Sequence, residues 1–232
     1  MSLFDQIGLK YEKLPYMNHR QARTLRQLIR DESAEDILEI GFFHGKSSLY
    51  IAAVLEDQGK GHLTTLDLRA AERRQPNIHQ VLEATGLSHR VTPVFCHRSY
   101  TWELQRMITS DPVPQFDLCY FDGGHTWDNT GFGVLLVDML LRPGGLILLD
   151  DMDWSLSSSQ WASANPNALA QYSEDERAAR TVRLVWDTIL PHLGYDRLRE
   201  IPEHKWGLAR KPSKAPPRKK RSVFGVFGSV GG

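Results

Sequence analysis

The sequence predicts an α/β fold: a doubly wound, seven-stranded, mostly parallel sheet with helices on both faces and an antiparallel C-terminal strand. Three observations lead there. Short apolar runs alternate with helix-length segments through the first two thirds of the chain, the pattern of strands joined by helical crossovers. A glycine-containing turn, "GFFHG", follows the first of those runs. The last two runs are separated only by "PEH", too short a link for a crossover and suited to an antiparallel hairpin.

Element by element, the expected strands are "DILEIG" (36–41), "HLTTLDL" (62–68), "RVTPVF" (90–95), "FDLCYFD" (116–122), "GLILLDD" (145–151), "YDRLREI" (195–201) and "KWGLARK" (205–211). "HRQARTLRQLIRD" before the first strand and "SSLYIAAVLED" after it carry apolar residues three and four apart, as amphipathic helices do. "RPGG" at 142–145 reads as a turn that ends a helix and starts the fifth strand. Residues 152–173 break the pattern: they are rich in Ser and Asn yet carry Trp154 and Trp161. A connection this long suits a substrate lid. The domain is therefore expected over 1–211, with a basic, disordered tail over 212–232.

Bulk properties bound the function class. The 232 residues suffice for one domain with a sizeable core. Net charge is zero and the pI is about 7.1, so overall charge argues for neither nucleic acid nor a membrane surface. No apolar run approaches the ~20 residues of a membrane span, and "MSLFDQIGLKYEK" lacks the layout of a secretory signal. Cys96 and Cys119 lie in strand-like apolar runs and are expected to be buried free thiols. The chain reads as soluble and cytoplasmic, with no membrane partner; its oligomeric state stays open, a homo-oligomer included.

The turn after the first strand carries the first chemistry. In a doubly wound sheet, ligands bind beyond the carboxyl ends of the strands, against a helix N-terminus. A dinucleotide fingerprint would need glycine at 43 and 46, where Phe43 and Lys46 stand. "GKS" imitates a phosphate loop, but the upstream glycine would fall on Ile40. The pattern E-x-G-x-x-x-G fits Glu39, Gly41 and Gly45, with Ser47 at the helix start. Asp67, closing the second strand, suits two ribose hydroxyls, because a carboxylate can accept both. A nucleoside with a small charged arm and no diphosphate suggests S-adenosylmethionine.

With these motifs in order, residues 15 to 151 resemble the class I, Rossmann-like methyltransferases. Among them the chain is most similar to the metal-dependent O-methyltransferases of the catechol and caffeoyl-CoA type and to related bacterial small-molecule methyltransferases. The resemblance implies cofactor contacts at Met17, Glu39, Gly41, Phe43, Gly45, Ser47 and Asp67, with the adenine-side loop at "CHRS", Arg98 or Ser99. It implies that Asp122 and the pair Asp150–Asp151 hold Mg²⁺ or Mn²⁺, Asp122 also touching the cofactor. His125 stands where the family has a basic lysine, and Asp151 where many relatives have Asn. A histidine of unperturbed pKa takes a proton at neutral pH, so His125 and Asp122 are the expected catalytic residues. Since neighbouring strand residues face opposite ways, Asp150 and Asp151 can share a site only where the pleat breaks down.

The reaction so implied is methyl transfer from S-adenosylmethionine to a hydroxyl of a small-molecule acceptor: a sugar, a phenol or a tailored metabolite. Two alternatives follow from other features. Seven Lys/Arg and no acid at 210–221 would suit an RNA-modifying enzyme, and the incomplete phosphate loop would suit a non-catalytic nucleotide-binding protein with the same sheet.

Overall fold

The computed structural model describes residues 1–159, 162 and 164–213. The expected seven strands form: β1 (Asp36–Ile40), β2 (His62–Leu68), β3 (Val91–Cys96), β4 (Phe116–Phe121), β5 (Leu141–Leu149), β6 (Asp196–Ile201) and β7 (Trp206–Arg210). They make one sheet in the order β3-β2-β1-β4-β5-β7-β6. Strands β1 to β5 pair in parallel, while β7 pairs antiparallel with both β5 and β6. The short hairpin link thus inserts the last strand between β5 and β6, a placement that local sequence does not carry.

The alternation of side chains sorts the core into two layers. Ile37, Leu118, Tyr120, Leu146 and Leu148 face one cluster, under α1 (Leu3–Lys10), α2 (His19–Asp31) and α3 (Lys46–Gln58). Leu38, Ile40, Cys119, Phe121, Ile147 and Leu149 face the other, under α5 (Tyr100–Ile108) and α6 (Trp127–Leu140). Helix α4 (Ile78–Glu83) packs beside α3. Helix α2 opens with a capping box in which Asn18 and Gln21 exchange side-chain and backbone bonds. Both cysteines are buried and free.

One expectation needs correction. "RPGG" does not precede β5 but lies within it, and the pairing register shifts between Phe116 and Leu118 opposite it. Arg142 explains why this stretch stays in the sheet: it pairs with Asp117 on β4 and, at 2.6 Å, with Asp36 on β1. The connection after β5, expected as a substrate lid, carries structure of its own. It folds into short helices at Pro166–Leu169 and Glu174–Ala178, and Met152, Leu156 and Ala162 are buried. Trp161, one of the two tryptophans expected on the lid, lies outside the described residues, as does the tail from residue 214. Among the described residues, no helix is long and apolar enough to cross a membrane.

Candidate active site

A cavity of about 890 Å³ opens beyond the carboxyl ends of the parallel strands. One wall is the turn from Gly41 to Ser47. Gly41 has φ +92, and an added Cβ would lie 2.0 Å from the Asp122 carbonyl oxygen. Only glycine lets β1 leave the sheet so close to β4. Phe43 is also left-handed, at φ 53. Its amide and that of Phe42 donate to Asp67 Oδ2 at 2.6 and 3.1 Å, while Asp67 Oδ1 accepts from the Leu68 amide. Asp67 therefore shapes the turn from β2, and Oδ1, which accepts a single amide, keeps a lone pair for a ligand.

Of the residues expected to touch the cofactor, Met17, Gly41, Phe43, Ser47, Asp67, Ser99 and Asp122 line this cavity, as does Arg98. Glu39 and Gly45 do not. Glu39 is fully buried beneath the turn, where its Oε2 accepts from Ser48 and, at 2.5 Å, from Thr65. It ties β1 to α3 and β2 instead of facing a ligand. Its Oε1 has no partner, and burial pushes the carboxyl up to about 7. Gly45 caps α3 at φ +91, and a Cβ there would meet Ile78 at 2.8 Å; it serves packing.

The opposite wall comes from the ends of β4 and β5. Tyr120, Asp122 and Asp150 follow the face of Leu118 and Leu148, so the two carboxylates emerge side by side. Asp151 would point away if the pleat continued. It adopts φ 54, and this left-handed step swings its carboxylate into the same cavity. His125 Nε2 lies 3.3 Å from Asp151 Oδ2 and 4.0 Å from Asp122 Oδ1. Its ring leans on Trp154 at 5.3 Å between centroids, and Thr181 donates to its backbone carbonyl.

The expected metal set is regrouped by this geometry. Asp122, His125 and Asp151 each offer a ligand atom, all within 4.8 Å of one another; Asp150 is not part of that convergence. It sits deeper, its Oδ2 accepting from the Tyr120 hydroxyl and its Oδ1 from the Asp151 amide at 2.6 Å. Burial raises its carboxyl to about 6. Burial and the neighbouring Asp150 and Asp151 charges push Asp122 well above the usual carboxylate range, whereas the His125 hydrogen bond lowers Asp151. Oxygen donors crowded with like charge are suited to a divalent cation.

Tyr120 and Lys46 were missed as site residues. Alternation could have found Tyr120, two positions before Asp122 on one strand. Lys46, the lysine of "GKS", lines the cavity, but its Nζ donates to the Glu12 and Leu14 carbonyls at 3.2 and 2.8 Å. It is committed to the N-terminal segment and is not presented to a phosphate.

Comparison with known proteins agrees with this geometry. Residues 38–152 match a family model described as a methyltransferase domain, and they span the turn, both carboxylate-bearing strands and Asp122 to Asp151. The chain carries a class I S-adenosylmethionine-dependent methyltransferase domain. Solved structures share the fold of this methyltransferase at low identity. The O-methyltransferase TomG from Streptomyces achromogenes, involved in tomaymycin synthesis and solved with S-adenosylmethionine, is 18% identical, with 91% of this chain and 90% of that one covered and a TM-score of 0.64. The Bacillus cereus O-methyltransferase solved with S-adenosylhomocysteine is 19% identical, covering 90% and 89%, TM-score 0.61. The Podospora anserina methyltransferase PaMTH1, also bound to S-adenosylhomocysteine, is 17% identical, covering 91% and 88%, TM-score 0.63. No curated protein matches the methyltransferase in sequence.

Proposed function

We propose that the methyltransferase acts on a hydroxyl oxygen of a small-molecule acceptor, and that Mg²⁺ or Mn²⁺ assists it. The observation that carries this reading is the convergence of Asp122, His125 and Asp151 beside the glycine turn. The O-methyltransferases of the same fold support it. The donor set fits a hard divalent ion: Asp122 and Asp151 supply the oxygens, with Asp150 directly beneath. S-adenosylmethionine supplies an electrophilic methyl group, and a divalent cation supplies Lewis acidity toward the acceptor oxygen.

The chain's own residues supply the rest. Asp67 and the Gly41–Ser47 turn hold the nucleoside end of the donor. The His125 imidazole accepts the acceptor's hydroxyl proton, and Asp151, whose Oδ2 lies 3.3 Å from Nε2, orients the ring through that nitrogen and stabilises it once protonated. Trp154, Ser158 and Ser159 line the same cavity; Trp154 offers an aromatic face to a ring-shaped acceptor, and together they exclude water. Asp150, held by Tyr120, fixes the backbone step that aims Asp151. Much of the rate gain is positioning, since a methyl transfer needs donor and acceptor in line. The nucleotide-binding alternative is not favoured, because Lys46 is spent on backbone carbonyls; the RNA alternative rested on the tail.

The test is transfer of an isotope-labelled methyl group to a panel of phenols, catechols and glycosides, with and without chelator. Turnover should stop in chelator and return with Mg²⁺ or Mn²⁺, while S-adenosylhomocysteine affinity stays within about twofold. Full turnover in chelator would remove the ion and leave the His125–Asp151 pair as the whole proton-transfer apparatus.

A further inference from the structure

Lys46 stands at an unfavourable place for a lysine. It is the first residue of α3, where the helix dipole opposes a cation. It is buried, and desolvation lowers its pKa. Something must offset that cost, and the partners show what. The ammonium reaches across more than thirty residues of sequence to the carbonyls of Glu12 and Leu14. Those carbonyls directly precede Pro15, Tyr16 and Met17, which line the cavity together with Gly41, Phe43 and Ser47.

We propose that Lys46 is a positioning residue, a latch that holds residues 12–16 as a strap across the methyl-donor cavity and so sets how long the donor stays bound. The inference rests on the donor occupying the cavity between the strap and the glycine turn.

Both ends of the strap are anchored. Helix α1 packs on α3 through Phe4 and Tyr50, 4.9 Å between ring centroids, and His19 at the start of α2 reaches the Tyr50 hydroxyl at 3.4 Å. Only the segment between them can lift. That segment is under tension: Tyr16 and Met17 are consecutive non-glycine residues at φ 61 and 25, a conformation that costs free energy unless the surroundings impose it. Tyr16 leans edge-on to Phe43 at 4.8 Å, and Arg74 covers Phe43 at 3.3 Å. Strap and turn therefore meet at one aromatic contact, and Lys46 ties them together from beneath. Without its ammonium, two part-buried carbonyls lose their donor, and the strained conformation loses what imposes it.

The experiment compares wild-type protein with Lys46→Met and Lys46→Arg, the first keeping the stem and removing the charge, the second keeping two-point donation. S-adenosylhomocysteine dissociation is followed by stopped flow, and trypsin cleavage after the exposed Lys13 is followed with and without that ligand. In the wild type the ligand should slow cleavage at Lys13. Lys46→Met should release the ligand about tenfold faster and lose the protection, and Lys46→Arg should restore most of both. Wild-type dissociation in Lys46→Met overturns the latch, as does wild-type cleavage at Lys13 that is indifferent to the ligand, a readout that needs no variant to fold. Absence of any S-adenosylhomocysteine binding to the wild type would overturn the donor assignment, and the latch with it.

Discussion

The two walls of the cavity are built on opposite principles. On the β1–β2 side, most polar groups find partners within the protein: Asp67 accepts three amides, and Glu39 Oε2 holds two hydroxyls while Oε1 is left without one. On the β4–β5 side, three carboxylates and a histidine are crowded so that burial, together with the charges of Asp150 and Asp151, raises Asp122. The first wall is complete without a ligand and acts as a mould. The second is electrostatically frustrated, which is what a site that must stabilise charge during reaction requires. The contrast predicts that substitutions in the mould damage fold and donor binding together, whereas substitutions in the reactive wall damage turnover alone.

The largest effect should come from Gly41→Ala. Its Cβ would collide with the Asp122 carbonyl 2.0 Å away at a left-handed φ, so both walls would move. S-adenosylhomocysteine binding should vanish and stability should fall by roughly 3 kcal/mol or more, read by calorimetry and thermal melts. An unaltered melt would show that the mould tolerates what its geometry forbids. His125→Ala should lower turnover by about 10²–10⁴-fold, the usual worth of a general base. Donor affinity and Tm should hardly change, and higher pH should recover part of the rate. Loss of donor affinity in this variant would break the separation of the walls.

Asp67→Ala should weaken S-adenosylmethionine by roughly 1.5–3 kcal/mol and also lower Tm, because the Phe42 and Phe43 amides lose their acceptor. A pure affinity change with an unaltered melt would mean that Asp67 serves the ligand and not the turn. The mildest effect concerns Glu39→Gln. With the folded carboxyl near 7 and an unfolded value near the ordinary 4.5, the folded state binds the proton more tightly. Its stabilising contribution is present below pH 4.5 and is lost as pH rises toward 7. Glu39→Gln should flatten the Tm profile across that window and match or exceed the wild type above it. An unchanged slope would place another group in charge of it.

The element pattern was legible because it is written locally. A period of two marks strands, three-and-four spacing marks helices, and the pair Gly41 and Gly45 marks a turn that must adopt positive φ. Hence the seven strands, α2 and α3, Gly41 and Asp67 could be read residue by residue. "RPGG" misled because its turn chemistry is real but is overridden by Arg142, whose partners Asp36 and Asp117 are far away in sequence.

The sequence alone determined the sheet, the site of the turn and the carboxylates that end β4 and β5, since each follows from the backbone period of its own segment. The tertiary structure decided where β7 inserts, that Glu39 is buried under the turn, that Asp151 rotates into the cavity beside His125 while Asp150 stays below with Tyr120, and that Lys46 serves the strap. Each of those depends on which groups meet across distant parts of the chain, and burial and pairing energies at such meetings have no signature in the spacing of any one segment.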